Sequence, residues 1–458
     1  MSSASSLVAS RSAALATHLS ASGWWYWSHG MPALRMFFVL PLSGCSSSLQ
    51  PAQAHLHSFL KLPIPISSEE QRKIGVIAAS AGNHALALAW HGKQMGIPVT
   101  VLMPTLAPLA KVSRCRAFGA NVVIHGANIG EAKLLAETDP EFAGLQYING
   151  YDDPEIVAGA GTMGLEILEQ LPEADFVVIP CGGAGLLAGS ALAIKTLKPT
   201  CRVIGVEPKR CASFLAALEA GEPVAAPTTP TLADGLAVPT VGGNAFLVAR
   251  EYADDIEQVG EHEIALAMLR LIESEKLVVE GGGAAGLAAI LPGGPLHQEV
   301  QGKRVVVPLC GGNIDTTTLG RVIDRGLAAD ERLVRFVAQV SDQPGGIAGL
   351  TKLLADEGGS IKDIYHERAW LQTSISNVQA KVILETTGKE HAERIKAKLE
   401  EKYAICWQPT TALDNEDPID VYSHESEPAQ PKAAVGDNNA PLGPVSESDG
   451  GSDTRIVP

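Results

Sequence analysis

Ile77-Ala78-Ala79-Ser80-Ala81-Gly82-Asn83-His84-Ala85 is the stretch on which the fold of this chain turns. The apolar residues ending at Ala79 read as a short strand, and those after Asn83 carry a helical period, so small polar residues fill the turn between the two. A turn of this kind leaves backbone N–H groups pointing outward unpaired, and it can hold a carboxylate or a phosphate. Taken singly, Ser80 or Asn83 reads better as an ordinary helix cap. The whole string says more than either residue.

Outward from this turn the pattern of strand, glycine-bearing turn and amphipathic helix repeats, which is how parallel α/β sheets are written. Strands read at 75–79, 99–103, 121–124, 176–180, 203–206 and 304–307. Helices read at 83–95, 108–118, 154–170, 185–195, 261–275 and 314–328. From Leu333 the pattern changes: a strand at 334–340, a helix at 347–357, strands at 361–367 and 377–385, a helix at 389–402 and a last strand near Cys406 form a βαββαβ, ferredoxin-like unit. The expected divisions are a leader, atypical or disordered, over 1–68, a small α/β domain over 69–152, a large α/β domain over 153–328, a separate small domain over 333–410 and an acidic tail over 415–458. The tail, rich in Pro, Ser, Gly, Asp and Glu, reads as disordered.

The 458 residues are 46% hydrophobic, enough for the cores of two or three domains. With 35 basic against 51 acidic residues the formal charge is −16, which offers no electrostatic footprint for nucleic acid or an anionic membrane. A small neutral or anionic metabolite is the better partner. Seven cysteines are scattered singly with no CxxC pair, which favours a reducing compartment. The apolar stretch 31–42 is broken by Pro32, Arg35 and Pro41 and is too short to span a bilayer. No acidic residue precedes Glu69, and Arg11 and Arg35 add positive charge, as in a mitochondrial transit peptide. Trp24-Trp25-Tyr26-Trp27 is unusual in such a peptide, so cytoplasm and mitochondrion both stand.

Two more glycine-bearing turns stand at strand ends. In Pro180-Cys181-Gly182-Gly183-Ala184-Gly185-Leu186, glycines allow close backbone approach and successive N–H groups cradle anionic oxygens. A dinucleotide fold also uses a glycine turn, but its GxGxxG spacing and its acidic residue after the next strand are missing, which argues against a nicotinamide oxidoreductase. The other is Leu309-Cys310-Gly311-Gly312-Asn313-Ile314-Asp315, after the apolar strand ending at Val307.

Together these turns resemble the fold type II, tryptophan synthase β-like pyridoxal-phosphate enzymes, and within them the threonine and serine dehydratases. The resemblance covers about Glu69 to Ala404. It implies an α/β fold of two parallel-sheet domains plus a C-terminal ACT domain, with pyridoxal 5′-phosphate as cofactor. Asn83 would bond the cofactor's phenolic oxygen, and the backbone of Ser80, Ala81, Gly82, Asn83 and His84 would bind the substrate carboxylate. Gly182, Gly183, Ala184, Gly185 and Leu186 are similar to the family's tetraglycine phosphate loop, with Ala184 in place of its third glycine. Cys310 would meet the ring nitrogen, where a neutral partner suits β-elimination more than transamination. Its plainer reading is a small buried hydrophobe. Glu280, in a segment similar to the family's Glu-Pro-x-Gly-Ala, would lie near the cofactor ring, and Thr231 to Val238 resembles the substrate-side loop. Glu207 stands where racemase-like members bind a divalent cation, but the acidic partner six residues on is Ser213 here, which weakens a hard-cation site.

The family's cofactor-bearing lysine lies in Ser-Phe-Lys-x-Arg-Gly-Ala. This chain has Ser58-Phe59-Leu60-Lys61-Leu62-Pro63, closer to Asn83 than the family spacing, and no counterpart of the family's first strands and helix is recognisable before His57. Two readings compete: Lys61 reaches the site by another path, or an atypical N-terminus leaves a catalytically impaired relative or an amino-acid-sensing binding protein. With Lys61 active, threonine would give 2-oxobutanoate and serine pyruvate, each with ammonia. Ser80 is where racemases of the family keep a proton-donating hydroxyl, so serine racemisation stays a lesser alternative. Val337 to Ile347 resembles the strand-to-helix turn of ACT domains, which implies control by an amino acid and at least a homodimer, or a homotetramer.

Overall fold

Strands that are covered on both faces are written as unbroken apolar runs, and Val99–Met103 and Phe176–Pro180 are buried at every position. Each lies inside a parallel sheet, away from its edges. The computed structural model describes residues 69–107, 109–368 and 376–408, together with the backbone of two strands, β1 (Trp25–Trp27) and β2 (Arg35–Val39). Lys61 and the 415–458 tail lie outside the described residues.

The first sheet is wholly parallel. Its strands β3 (Val76–Ala79), β4 (Val99–Met103), β5 (Asn121–Ile124) and β6 (Gln146–Tyr147) run in the order β5-β4-β3-β6. The second sheet contains β7 (Phe176–Pro180), β8 (Arg202–Pro208), β9 (Asp255–Val259) and β10 (Arg304–Pro308) in the order β1-β2-β10-β7-β8-β9. Here the β1–β2 pair alone is antiparallel, and β2 lies parallel to β10 with Phe37 opposite Val306. β1 and β2 therefore form one edge of the larger sheet, within the 1–68 stretch expected as an atypical or disordered leader. Side chains of β7 alternate between two cores, Phe176 and Val178 packing with Met268 and Leu287, Val177 and Ile179 with Ile167 and Leu187.

Local signals set the helices. Asp153 accepts a hydrogen bond from Glu155 N–H and Pro154 opens the helix Pro154–Gln170, while Gly96 ends Asn83–Met95 in the left-handed region at φ 68°. The helix Gly185–Leu197 crosses Pro154–Gln170 in close contact. A Cβ at Gly189 would overlap the Val157 carbonyl, and Ser190 Oγ donates to Ala160 O at 3.1 Å.

The C-terminal sheet, by contrast, is antiparallel throughout. β11 (Leu333–Ser341), β12 (Ser360–Glu367), β13 (Asn377–Glu385) and β14 (Ile405–Gln408) run in the order β12-β13-β11-β14, with helices Gly346–Asp356 and Lys389–Glu400 between them. This is the expected βαββαβ order. Alternate residues of β11 and β13 are buried against Leu350, Leu354, Ile395 and Leu399, so one face of the sheet is covered by its helices. An ion-pair ring links the end of the helix Glu261–Arg270 and the turn after it to the residues just before β11: Arg332 bonds Glu273 at 2.6 Å, Arg270 reaches Glu273 at 3.3 Å, and both arginines meet Asp330.

The expected helix over 261–275 is α-helical only to Arg270, and Leu271–Glu275 forms a π turn closed by Lys276 at φ 57°. Elements absent from the sequence reading include β9 and the helix Gly281–Ile290. β9 reads Asp-Ile-Glu-Gln-Val with no apolar run, and the helix is buried at every position, so neither shows an amphipathic face. Among the described residues no helix is long and apolar enough to cross a membrane.

Candidate active site

The turn after β3 is held open by its own atoms. Ser80 N–H donates to Leu102 O at 3.0 Å, which ties the turn to β4, and Ser80 Oγ accepts Gly82 N–H at 3.2 Å. The helix Asn83–Met95 begins with no side-chain cap among the described residues, so the amides of its first turn remain available to an anion. His84 is committed elsewhere. Its Nε2 lies 3.1 Å from Ile148 O, Gly150 packs against its ring, and burial lowers its pKa, which keeps the ring neutral with Nε2–H donating. Any part His84 plays in holding a carboxylate falls to its backbone.

Asn83 faces residues far away in sequence. Its Nδ2 donates to Glu280 Oε1, and its Oδ1 accepts from Asn313 Nδ2 at 2.7 Å. Behind Asn313, Arg114 Nη1 donates to Asn313 Oδ1 at 3.2 Å. Glu280 is buried, and burial raises its pKa while the Asn83 bond opposes that rise. Its own N–H donates to Gly311 O at 3.1 Å. A Cβ at Gly311, where φ is 140°, would overlap the Glu280 carboxylate, so this crossing needs glycine. Thus the turn after β3 and the turn after β10 converge at Glu280.

The glycine turn after β7 is a buried cradle. A Cβ at Gly183 would overlap the Tyr151 ring, one at Gly185 would overlap the Tyr151 carbonyl, and one at Gly182 would sit 3.0 Å from Leu236 Cα. Tyr151 is itself fixed, because Asn149 Oδ1 accepts the N–H groups of Tyr151 and Asp152 at 3.0 and 3.1 Å. The helix Gly185–Leu197 starts at Ala184 with no side-chain cap among the described residues. Uncapped amides at the start of a three-turn helix, approached through glycines, fit a phosphate group. Leu186 comes next in the first turn of that helix and offers its backbone.

Cys310 Sγ donates to Pro308 O at 3.2 Å. Surrounding protein, with the Glu280 charge adding, pushes its thiol up to about 12, so it is a neutral group at the end of β10. The loop at 231–233 is anchored by Glu261, which accepts Thr231 Oγ1–H and Leu232 N–H, the latter at 2.8 Å. Lys111 lies on the same helix as Arg114, with Nζ 3.8 Å from Asp234 Oδ2, and its charge bears on Glu280 and Asp315.

Glu207 is fully buried and its two oxygens accept the N–H groups of Phe214 and Leu215 at 2.9 and 3.1 Å. In this arrangement it caps the helix Ser213–Ala220, and among the described residues no group of three or more His, Cys, Asp or Glu is placed to hold a metal ion. The structure thus brings Asn83, Glu280 and the turn that carries Cys310 together, sets the Gly182–Leu186 cradle at the end of β7, and leaves Glu207 as a cap. Sequence reasoning gave Asn313 no part and passed over Arg114 and Tyr151. A bare helix-surface arginine carries no signal until its partner is known.

Residues 51–311 match the family described as pyridoxal-phosphate dependent enzyme, a span that takes in Lys61. The chain belongs to this family. An L-threonine ammonia-lyase of Thermotoga maritima is 40% identical over 332 residues, 72% of this chain and 82% of that protein. Among solved structures, a threonine deaminase of Solanum lycopersicum superposes with TM-score 0.52 at 35% identity, covering 56% of this chain and 74% of the other. Maize serine racemase gives 0.54 at 31%, covering 64% and 88%. As in other pyridoxal-phosphate-dependent enzymes, the cofactor is pyridoxal phosphate, and the glycine cradle, Asn83 and the neutral Cys310 thiol are fit to receive its phosphate, its phenolic oxygen and its ring nitrogen.

Proposed function

We propose that the chain is an L-threonine/L-serine dehydratase, an ammonia-lyase that converts threonine to 2-oxobutanoate and serine to pyruvate with release of ammonia. The observation that carries this reading is the meeting of Asn83, from the first parallel sheet, with Glu280 and Asn313, which flank the second. An uncapped helix N-terminus next to an amide and a buried acid supports the reading, since such a terminus can take a carboxylate. When bound, pyridoxal phosphate supplies an electron sink for the bond broken at the substrate α-carbon. Backbone amides from Ser80 to His84 hold the substrate carboxylate. Gly182 to Leu186 hold the cofactor phosphate, and the Cys310 thiol, neutral at physiological pH, offers the ring nitrogen no charge. Lys61 is assigned as the residue that holds the cofactor and takes the α-proton.

The test is direct. Full-length protein supplied with pyridoxal phosphate is expected to form 2-oxobutanoate from L-threonine and to show the absorbance of a lysine-bound cofactor, both lost in Lys61→Ala. Retention of that absorbance in Lys61→Ala would remove Lys61 from the reading. No ammonia release from either substrate, with cofactor bound, would favour the second reading, a relative that binds amino acids without turning them over. The altered Ser58-Phe59-Leu60-Lys61-Leu62-Pro63 segment supports that second reading. Ser80 Oγ keeps its own proton while accepting Gly82 N–H, which is what a racemising hydroxyl requires, so D-serine formation belongs in the same assay.

For the C-terminal unit, 333–410, the reading is an ACT-type regulatory domain that binds an amino acid between paired copies. The Gly345 turn at φ 101°, opening the helix Gly346–Asp356 directly after β11, supports it. The divisions at 69–152 and 153–328 correspond in this reading to a small mobile domain and a large cofactor-binding domain.

A further inference from the structure

Asn83 can present either end of its amide, and nothing in the amide itself chooses. Its neighbours do. Arg114 has donors and no acceptor, and an ionised Glu280 has acceptors and no donor, so a chain of two amides strung between them has one self-consistent direction. Arg114 Nη1 donates to Asn313 Oδ1 at 3.2 Å, Asn313 Nδ2 donates to Asn83 Oδ1 at 2.7 Å, and Asn83 Nδ2 donates to Glu280 Oε1. Glu280 has little freedom, because its buried carboxylate rests against Gly311 and its N–H is bonded to Gly311 O. Arg114 sits on the helix Leu109–Ala117 beside the first sheet, while Asn313 and Glu280 flank the second, so the relay spans both.

We infer that Asn313 and Arg114 are positioning residues: they hold the Asn83 amide with its nitrogen toward Glu280, which keeps the second Nδ2–H for an acceptor on the cofactor. This rests on the reading of Asn83 as the cofactor-binding amide. Neither residue touches the reacting atoms.

The test reads cofactor affinity by titration of pyridoxal phosphate into full-length protein, alongside thermal stability. Asn313→Asp replaces the donor facing Asn83 with an acceptor while keeping an oxygen for Arg114. It is expected to weaken cofactor affinity about tenfold and to lower the melting temperature. Glu280→Gln alone can still accept from Asn83 through its amide oxygen, and its own affinity and melting temperature are the baseline against which the double variant is read. In the double variant Asn313→Asp/Glu280→Gln every member is satisfied: Arg114 still donates to the carboxylate at 313, and the two bonds of Asn83 reverse, its Nδ2 donating to that carboxylate and its Oδ1 accepting from the new amide at 280. The melting temperature of this double variant should recover while its cofactor affinity stays low, which a merely structural role does not produce. Arg114→Ala, which frees Asn313 to flip, should cost about twofold to fivefold.

Recovery of both stability and affinity in the double variant would overturn the inference, as would an Asn313→Asp protein with unchanged affinity. Asn83→Ala separates the two levels. If it binds the cofactor as tightly as the parent, the reading of Asn83 falls and the inference with it. If Asn83→Ala is weakened and Asn313→Asp is not, the relay alone is wrong.

Discussion

Ala184 holds φ 73° at the opening of the helix Gly185–Leu197, a left-handed conformation that crowds its Cβ against the backbone. Glycine adopts this conformation without that crowding. Ala184→Gly is therefore expected to stabilise the fold by about 1 kcal/mol, seen as a higher urea midpoint at unchanged slope. An unchanged or lower midpoint would mean that Ala184 packing in its buried position outweighs the strain. Glu207 makes a second residue-scale case. Burial raises its pKa to about 7 from the ordinary 4.5, against the pull of the Phe214 and Leu215 amides. Because the folded state holds this proton more tightly than the unfolded one, the associated stability is full below about pH 4.5 and is lost as pH rises toward 7. Glu207→Gln, which cannot ionise, should flatten this part of the stability curve, an effect on the order of 2–3 kcal/mol across the window. Thermal melts at steps across that range that run parallel for the two proteins would contradict it.

At the scale of elements, the approach of Pro154–Gln170 to Gly185–Leu197 depends on missing side chains. Gly161, Gly164 and Gly189 all face backbone atoms of the opposite helix, and a Cβ at Gly189 would overlap the Val157 carbonyl. A methyl group there must push the helices apart. Gly189→Ala is expected to destabilise by about 1–3 kcal/mol, well beyond the small gain in helix propensity, and to weaken cofactor binding because the cradle is the first turn of the same helix. Denaturant unfolding together with cofactor titration measures both. The glycines in this pair were visible in the sequence, but their partners were not. Gly159, in the same helix, faces open space and carries no such demand.

For the whole molecule, the ion-pair ring of Arg270, Glu273, Asp330 and Arg332 sits between the helix that begins at Glu261 and the first strand of the C-terminal sheet. Glu261, at the other end of that helix, anchors the loop at 231–233. If the C-terminal unit is an amino-acid sensor, adding isoleucine, valine or serine to the full-length protein should shift its threonine turnover or its oligomeric state, tracked by a coupled assay and by light scattering. No shift in either with any of the three would leave the unit as a structural appendage. Strand and helix periodicity determined the α/β class, most element positions and the βαββαβ unit, because alternation and 3.6-residue repeats are local properties of the chain. The glycine turns were legible for the same reason, since an anion cradle is made from consecutive amides. Only the tertiary structure decided that Asn83 meets Glu280 and Asn313, that Arg114 stands behind them, that Glu207 caps a helix, and that β1 and β2 form an edge of the larger sheet. Each of these joins residues from separate elements, and no local pattern in a sequence records which distant partner a polar side chain will find.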